Sequence, residues 1–449
     1  SSNLALLITL CRDLADAGLF YSDSGIMPRS WIISSGSLHR LSLYFLNGSL
    51  GFAVTWLLLQ CAFALMLMLG WRTRLASIAS FVLWGSLLSR NPLIVGSGDT
   101  LIACLLFWVM LLPAGARYSV DAAISRTPPP ESNHHLSWAA LGLMLQVVSG
   151  WFFSALSAAG LQWHGNYLGL HDLLSLETDT TWLGHALLHF PVALKGLSGL
   201  LWWLALLAPL LAFAPVFTRP LRFAAVLIFA AVNLILLLCL NLGNTPWVYL
   251  IAWAPFLGGS LWDALDARQQ RRQPGALRIY HDRDCGFCLG MCRLLQQFLI
   301  LPRAQIAPAQ DTPRAKALLE ANQSWVVIDG EALAYMKWPA LVVLVRHSPL
   351  FGWLWPLLRN EAWTTPGNAA YDWIARHRGH FAARTAARDA CYEVPAFWQR
   401  IAAAFVVLLL CWNLSAIHLL PGAIQRGLDP ALRMLRLDQS WNIFAPFPF

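Results

Sequence analysis

Three cysteines lie close together in the stretch IYHDRDCGFCLGMCR, directly behind two aspartates. Cys285 and Cys288 are separated by two residues, the spacing of a thiol pair that can close to a disulfide. Cys292 follows one helical turn later and is interpreted as an accessory thiol that the exchange does not require. Asp282 and Asp284 lie where they would disfavour the ionisation of a nearby thiol or would accept the proton that the thiol loses. The segment therefore predicts thiol–disulfide chemistry, in which Cys285 attacks and Cys288 resolves.

The residues around this pair predict a strand, a turn and a helix. The run LRIYHD is typical of a strand, and LGMCRLLQQFL has apolar residues at helical spacing, so the first thiol falls at a helix N-terminus. Backbone N–H groups and the helix dipole favour a thiolate there. The strand-like runs SWVVID and ALVVLV and the helical run TPRAKALLEAN extend the pattern to a soluble α/β domain of about 120 residues.

A metal or iron–sulfur site is the alternative use of the same cysteines. His281 and the three thiols supply four ligand-type side chains near one helix start. Structural zinc usually draws a second ligand pair from a distant hairpin, and Cys391 is the only further cysteine in polar sequence. The redox interpretation is favoured over a metal site, and an inactive motif also stays open.

The run YHDRDCGFC fits a DxDCxxC signature at both aspartates and both thiols. In this it resembles the thiol-disulfide oxidoreductase DCC family, a thioredoxin-like group, and the resemblance extends over about 276–382. It implies a thioredoxin-like fold and disulfide exchange at the two thiols. Pro339 is the candidate for the cis-proline that faces the thiols in such folds.

The composition of the whole chain excludes an ordinary soluble protein. Of its 449 residues 57% are hydrophobic and only 12% are charged, whereas soluble domains carry about 25% charged residues. Uninterrupted apolar runs long enough to cross a bilayer recur along the sequence. The net charge of +8 comes from basic residues scattered through short loops, which is what membrane topology requires and does not indicate nucleic-acid binding.

Eight apolar segments and a more polar first segment predict a bundle of about 8–9 transmembrane helices. The eight are 48–70, 75–89, 98–115, 136–158, 197–217, 221–241, 246–262 and 397–419. The first segment, 4–20, contains Arg12, Asp13 and Asp16. It either spans the membrane with these charges facing the bundle or lies in the interface.

The chain accordingly divides into three regions. We expect a membrane bundle at 1–262, an inserted domain at 276–391, and a last span with its tail at 397–449. The predicted fold class is a mostly α polytopic membrane bundle with an inserted α/β thioredoxin-like domain.

Basic residues in alternate loops predict the orientation. The richer set of loops carries Arg72, Arg74, Arg117, Arg126, Arg219, Arg222, Arg268, Arg271, Arg272 and Arg278. By the positive-inside rule these loops and the inserted domain are cytoplasmic, while loop 159–196 and the C-terminal tail are outside. The thiol pair would then rest as the dithiol, because the cytosol is reducing. We expect a multi-pass protein of a bacterial inner (cytoplasmic) membrane.

The membrane part contains five further distinctive stretches: SGSLHRLSLYFLNGS, GWRTRLASIAS, SRNPLIVGSGD, FWVMLLPAGARYSVDA and RLDQSWNIFAPFP. These resemble the HTTM domain family, the membrane domain shared with vitamin K-dependent γ-glutamyl carboxylase and its bacterial relatives. Those carboxylases use a lysine five residues before a tryptophan, and counting back from Trp163 places Ala158 there. An alanine cannot act as a base, so the resemblance implies the fold without the carboxylation.

Two further groups of polar side chains are candidate sites. The predicted outside loop gathers candidate ligands for a metal or small molecule at His164, His171, Asp172, His185 and His189. The last two histidines are four residues apart and would share one helix face. Charges near the membrane are costly unless paired, which predicts that Asp99 pairs with Arg74 or Arg90. A polar loop at the membrane surface and a structural ion pair are the simpler interpretations of these groups.

The main functional hypothesis is a membrane-anchored thiol-disulfide oxidoreductase whose bundle binds a hydrophobic or quinone-like partner. The thiol chemistry itself requires no cofactor, although a quinone or vitamin K-like molecule is compatible with the bundle, and no metal is expected. The expected partners are membrane lipids and a disulfide-containing protein or other redox partner. The alternatives are a non-catalytic membrane binding protein and a carboxylase-like enzyme with an altered site at Ala158.

Overall fold

The structure is a computed structural model that describes residues 2–34, 41–125, 127, 135–156, 161–176, 179–272, 277–301, 303–322, 324–378 and 394–437. The described part is mostly helical, with one small mixed sheet in the C-terminal half. The named elements of the first 272 residues are all helices, and the strands of the sheet come after them.

Helices of very different lengths follow one another along the first part of the chain. In order they are α1 (Ser2–Ala15), α2 (Ala17–Phe20), α3 (Arg29–Ser34), α4 (Leu50–Leu69), α5 (Thr73–Arg90), α6 (Ser97–Met110), α7 (Val120–Ile124), α8 (Trp138–Leu156), α9 (Leu161–His164), α10 (Gly169–Leu174), α11 (Trp182–Leu187), α12 (Pro191–Ala212), α13 (Thr218–Cys239), α14 (Thr245–Ala252) and α15 (Ala254–Arg272). α15 bends at Gly258, whose φ of 53° is not helical.

The second part alternates strands and helices and ends in two more helices. In order they are β1 (Arg278–His281), α16 (Gly286–Phe298), β2 (Gln305–Pro308), α17 (Pro313–Asn322), β3 (Val326–Ile328), β4 (Ala334–Met336), α18 (Lys337–His347), α19 (Trp355–Leu358), α20 (Glu361–Arg376), α21 (Ala396–Ala416) and α22 (Gly422–Met434). The predicted strand LRIYHD and the predicted helices LGMCRLLQQFL and TPRAKALLEAN are confirmed as β1, α16 and α17.

The sheet has the strand order β2-β1-β3-β4, with β1 parallel to β2 and antiparallel to β3. Its two faces are covered by different helices, because successive strand residues point to opposite sides. Ile279 packs in a cluster with Cys292 of α16 and Leu344 of α18. Tyr280, the next residue, packs with Ala315 of α17. The sheet is therefore covered on both faces and buries one side of α16.

The run ALVVLV is a helix rather than the predicted strand. It forms most of α18, and five of its residues are buried. Pro339 stands in the first turn of this helix, where its fixed φ suits helical geometry. A short apolar run buried on several sides has no periodicity that separates a strand from a helix, which explains the wrong prediction.

Five helices among the described residues are long and apolar enough to cross a membrane: α4, α8, α12, α13 and α21. The predicted count of about eight to nine spans is not confirmed. α6 is apolar but has only 14 residues, and segment 246–262 is divided between α14 and α15. α5 has the length of a span, but it contains four serines and ends on a buried arginine, Arg90.

The hairpin between α4 and α5 marks one end of the bundle. α4 ends at Gly70 with φ 68°, and a Cβ there would lie 2.3 Å from the Ser119 Cβ, so the close approach requires glycine. Asp121 of α7 caps α5 by accepting hydrogen bonds from the backbone N–H groups of Arg72 and Thr73. We call this the α7 end; the opposite end, where α5 stops before Asn91, is the Asn91 end.

Candidate functional site: a thiol pair at a helix start

The thiol pair lies in the turn between β1 and α16. Cys285 is the N-cap residue of α16, with extended backbone angles of φ −104° and ψ 92°. Its Sγ accepts a hydrogen bond from the backbone N–H of Cys288 at 3.3 Å. The first N–H groups of a helix have no partner within the helix, so they are free to hold a sulfur at this position. The predicted strand–turn–helix arrangement of the motif is confirmed.

The two sulfur atoms face each other. The Cys288 thiol donates to the Cys285 sulfur, and the two Sγ atoms are 2.6 Å apart. Burial, followed by this hydrogen bond, raises the pKa of Cys288 to about 12. Cys288 therefore keeps its proton at neutral pH, and both its N–H and its S–H point at the sulfur of Cys285. The roles of Cys285 as the nucleophile and Cys288 as the resolving thiol stay a prediction, with which this arrangement of the two sulfur atoms is compatible.

Asp282 shapes the turn that presents the thiols. Its backbone carbonyl accepts from the N–H of Cys285 at 3.3 Å. Its carboxylate accepts from the N–H of Asp284 at 3.3 Å and from the Gln310 amide at 2.8 Å. The Asp284 side chain is exposed. Gln310, which the sequence did not single out, reaches the turn because it follows β2, whose carboxyl end lies beside that of β1.

The geometry does not assemble the alternative metal site. Cys292 is 2% exposed within the core against the sheet, and burial raises the pKa of its thiol. The Nδ1 atom of His281 lies 2.8 Å from the backbone carbonyl of Asp282. Within the described residues no three His, Cys, Asp or Glu side chains form a set that could hold a metal ion. Cys391 lies outside those residues.

Pro339 does not face the thiols as a cis-proline. No cis peptide bond occurs among the described residues, so that prediction is wrong. Two neighbours of the thiols were missed instead. Arg378 opposes the rise in the pKa of Cys288, and Tyr371 lies within electrostatic range of Cys288 and Cys292. Both are far along the chain, in or just after α20, and nothing in the local sequence points to them.

The helix that carries the thiols also contacts the membrane bundle. α16 packs against α7. Gln297 accepts a hydrogen bond from the backbone N–H of Tyr118 at 2.8 Å, and Arg293 donates to the Ser125 carbonyl at 3.0 Å. The α/β region is thus fixed to the α7 end of the bundle through its thiol-bearing helix.

A comparison with protein families identifies this region. Residues 279–384 match the family described as DCC1-like thiol-disulfide oxidoreductase. They form a DCC1-like domain. The match begins in β1, includes Cys285 and Cys288, and runs past the end of α20. The resemblance to the DCC family is confirmed for this part of the chain.

No curated protein and no solved structure matches the chain. The comparisons give no support for an HTTM domain in 1–262, so that resemblance stays a prediction. Ala158, the residue at the predicted lysine position, lies outside the described residues.

The predicted pairing of Asp99 with an arginine is wrong. Asp99 caps its own helix, accepting from the N–H of Gly96 at 3.0 Å, and also accepts from the Asn244 amide at 2.7 Å. Arg90 is completely buried and is 3.3 Å from the Asp23 carboxylate. Arg74 lies at the α7 end, 5.1 Å from the ring of Trp398.

A polar cavity of about 280 Å³ lies at the Asn91 end of the bundle. Its lining residues are Thr9, Arg12, Asp13, Asp16, Phe20, Tyr21, Trp84, Leu87, Leu88, Asn91, Ile94, Val95 and Asp99. The three charged residues of the first segment thus face a cavity inside the bundle. α5 separates this cavity from the α7 end, and its 18 residues span about 27 Å. The cavity therefore does not open towards the thiols of the DCC1-like domain.

The histidines of the predicted outside loop are not brought together. α11 ends at Leu187, so His189 lies beyond it and does not share a regular helix face with His185. The ring of His164 packs against Trp202. His171 lies 3.6 Å from Asp172, its neighbour in the chain. The described part of this loop therefore contains no convergent set of ligands.

Proposed function

We propose that this chain is a membrane-anchored thiol-disulfide oxidoreductase with a thioredoxin-like catalytic domain. The match of 279–384 to DCC1-like thiol-disulfide oxidoreductases supports the reaction class. The observation that carries the roles is the hydrogen bonding at Cys285, whose sulfur accepts from both the N–H and the S–H of Cys288. The βαβ unit followed by αββα, with the thiols at the first helix, supports the thioredoxin-like fold.

The exchange proceeds in two displacements. The Cys285 thiolate attacks one sulfur of a substrate disulfide, forms a mixed disulfide and releases the other half as a thiolate. Cys288 then loses its proton to the departing thiolate, or to Asp282 in the same turn, and attacks the Cys285 sulfur. The second half of the substrate leaves as a thiolate, which takes up a proton from water. The substrate gains two electrons, Cys285 and Cys288 become a disulfide, and a cellular thiol must reduce that disulfide for the next turnover.

The membrane part acts as an anchor in this proposal. The DCC1-like domain is held at the α7 end, beside the loop that carries Arg72 and Arg74. The positive-inside rule makes this the cytoplasmic side of a bacterial inner membrane. The partner is then a disulfide-containing protein or small disulfide at that face. A hydrophobic or quinone-like ligand of the bundle would have to act separately, since the cavity lies at the other end.

Disulfide exchange with the full-length protein tests the proposal. The purified chain in lipid nanodiscs is mixed with fluorescently labelled glutathione disulfide, with dithiothreitol as the reductant. We expect Cys285→Ser to lower the rate at least about 100-fold, because the nucleophile is removed. Once the dithiothreitol has been removed, prereduced Cys288→Ser protein mixed with the labelled glutathione disulfide should accumulate a mixed disulfide on Cys285, visible as one retained fluorophore under non-reducing conditions. An unchanged rate in Cys285→Ser would reject the catalytic role and favour a non-catalytic binding protein.

Cys292→Ala is the matched control, because this thiol is on the same helix but is buried against the sheet. We expect it to keep the wild-type rate and to trap no fluorophore. If it instead loses activity together with Cys285→Ser while remaining folded, the third thiol takes part in the exchange.

A further inference from the structure

The DCC1-like domain exposes large apolar side chains along one short helical segment. A 3-10 turn at Gly352–Leu354 runs directly into α19. Leu354 and Leu358, four residues apart, pack inward against the core cluster of the sheet. Four other large side chains of this segment are exposed, and we call them the Trp353 patch: Leu350 (52%), Phe351 (37%), Trp353 (74%) and Leu357 (58%). Neighbouring apolar side chains of this size, when exposed, indicate an interaction surface.

The Trp353 patch lies on the side of the domain that meets the bundle. α16, α18 and the segment 352–358 all contribute to one core cluster, whereas α17 packs on the other face of the sheet. These elements therefore form one layer. The outward side of this layer contacts α7 through Arg293 and Gln297. The patch is exposed with the bundle in place, so it lies beside this contact and not within it.

The α7 end of the bundle is where apolar helices reach the membrane surface. α4 ends there at Leu69, and α5 begins at Thr73. Arg74 of α5 lies 5.1 Å from the ring of Trp398, in the first turn of α21, so α21 begins at the same level. A domain held at this end by α16 has the helix ends on its inner side and lipid around them. The surface next to the Trp353 patch is therefore that of the bilayer.

Two arginines accompany the apolar side chains. The guanidinium groups of Arg346 and Arg359 lie 5.1 Å and 4.5 Å from the ring of Trp355, and both side chains are exposed. Glu361 is the only acidic residue between positions 346 and 361. Exposed Trp, Phe and Leu side chains next to arginine are typical of surfaces that lie at the level of lipid headgroups. Arginines at that level are attracted to anionic phospholipids.

We propose that the Trp353 patch docks the DCC1-like domain onto the bilayer surface at the α7 end. Trp353 and Leu357 insert among the lipids at headgroup level, and Arg346 and Arg359 contact the phosphate groups of anionic phospholipids. The contact between α16 and α7 holds the domain at one point, and the docked patch adds a second that fixes its orientation on the membrane. This contact goes beyond the disulfide exchange and does not depend on it.

Photo-crosslinking in the full-length protein tests the docking. The variant Trp353→p-benzoylphenylalanine is reconstituted in nanodiscs of equimolar phosphatidylcholine and phosphatidylglycerol, irradiated, and digested for mass spectrometry of lipid adducts. The matched control is Glu320→p-benzoylphenylalanine, because Glu320 is exposed on α17, on the other face of the sheet. We expect lipid adducts at least about tenfold more abundant at position 353 than at position 320. Leu357→p-benzoylphenylalanine should give the same result as the variant at position 353.

Three results would overturn the proposal. The first is an equal yield of lipid adducts at positions 353 and 320. The second is a crosslink from position 353 to another copy of the chain in place of lipid, which would make the patch an interface between copies. The third is a crosslink mainly to a different protein when native membranes are irradiated, which would assign the patch to a protein partner. No thiol takes part in these measurements, so their failure is distinguishable from failure of the disulfide exchange.

Arg346→Gln combined with Arg359→Gln tests the contact with anionic headgroups. With both arginines present, we expect phosphatidylglycerol to be enriched among the adducts at position 353 above its share of the lipid mixture. In the double variant the adducts should return to that share, while their total yield stays the same. Arg314→Gln, at an exposed position on α17, should keep the enrichment. An enrichment that survives in the double variant would overturn the assigned role of the arginines.

Discussion

Cys285 and Cys288 are three residues apart in the chain, whereas Arg90 is held by groups more than sixty residues away. The thiol pair is set by one strand, one turn and one helix start, and its hydrogen bonds stay within the motif. Arg90 donates to the carbonyls of Met27 and Ser22 and pairs with Asp23, all in the connection before α4. Both regions place a reactive or charged group out of water, but only one does so locally.

The difference shows what burial does to each kind of group. Cys288 responds to burial by staying neutral, since a thiol can keep its proton. An arginine cannot lose its charge in this way, so it must be surrounded by acceptors. The thiol region consequently tolerates burial with its proton in place, whereas the arginine region is a structural tie between the N-terminal connection and α5.

The largest effect expected from this contrast is on the labelling of Cys288. The pKa of this thiol rises from 9.0 to about 12 on folding, so its thiolate fraction near pH 7 falls about 1000-fold. Brief iodoacetamide labelling of the dithiol protein, followed by peptide mass spectrometry, should show Cys288 labelling that still increases above pH 10. In the same protein unfolded in detergent the rate should level off near pH 9 to 10. A plateau there in the native protein would contradict the buried, hydrogen-bonded thiol.

The raised pKa of Cys288 also determines how its contribution to the stability of the folded state changes with pH. Because the pKa of Cys288 is higher in the folded state than in the unfolded state, its contribution to stability is complete below pH 9 and declines as the pH rises towards 12.

Removing Arg90 should give the next largest effect. Arg90→Ala takes the guanidinium donors away from the Met27 and Ser22 carbonyls and removes one partner of Asp23, which costs about 3 kcal/mol in the free energy of unfolding. The midpoint of thermal unfolding in nanodiscs measures it. Arg74→Ala is the control, since this arginine is exposed and contacts only the face of Trp398 among its described partners; its loss costs about 0.5 kcal/mol. Equal unfolding midpoints for the two variants would show that Arg90 does not stabilise the contact between the N-terminal connection and α5.

The contrast also explains which parts of the fold could be predicted from sequence. Strand β1 and helix α16 follow from local composition and spacing, and Cys285 and Cys288 are placed correctly because the motif is itself local. The prediction for α18 was wrong, because ALVVLV is apolar at nearly every position and only its packing decides between helix and strand. The number of spans is not confirmed for a related reason: apolar length alone does not reveal the break between α14 and α15.

The polar partners in the bundle could not be predicted because they depend on which helix ends meet. Asp99 was expected to pair with an arginine, yet its carboxylate accepts hydrogen bonds from the N-terminus of its own helix and from the Asn244 amide. Gln310 and Arg378 were missed for the same reason, since sheet order and the position of α20 bring them to the thiols. Local sequence therefore predicts where the thiols lie, and tertiary packing supplies their surroundings.

A smaller effect tests whether Cys292 belongs to the core or to the site. Cys292→Ser buries a hydroxyl among the apolar residues of the sheet cluster, which costs about 2 kcal/mol if it finds no partner. Cys292→Ala buries no polar atom and should lower the unfolding midpoint of the DCC1-like domain less. The comparison is read from thermal unfolding of the two full-length variants. If serine is tolerated as well as alanine, the position is not the apolar core site that the structure describes.

The smallest expected effect concerns the contact between the two regions themselves. Gln297→Ala removes the acceptor for the Tyr118 N–H, a loss of about 1 kcal/mol. Gln296→Ala is a closely matched control, because the neighbouring amide on the same helix donates to Ala304 within the DCC1-like domain. Hydrogen exchange of the 118–125 segment should become about fivefold faster in Gln297→Ala, following from 1 kcal/mol, and stay unchanged in Gln296→Ala. Equal exchange in both variants would mean that the thiol-bearing helix does not hold the α7 end, and that only the flanking helices tether the domain to the bundle.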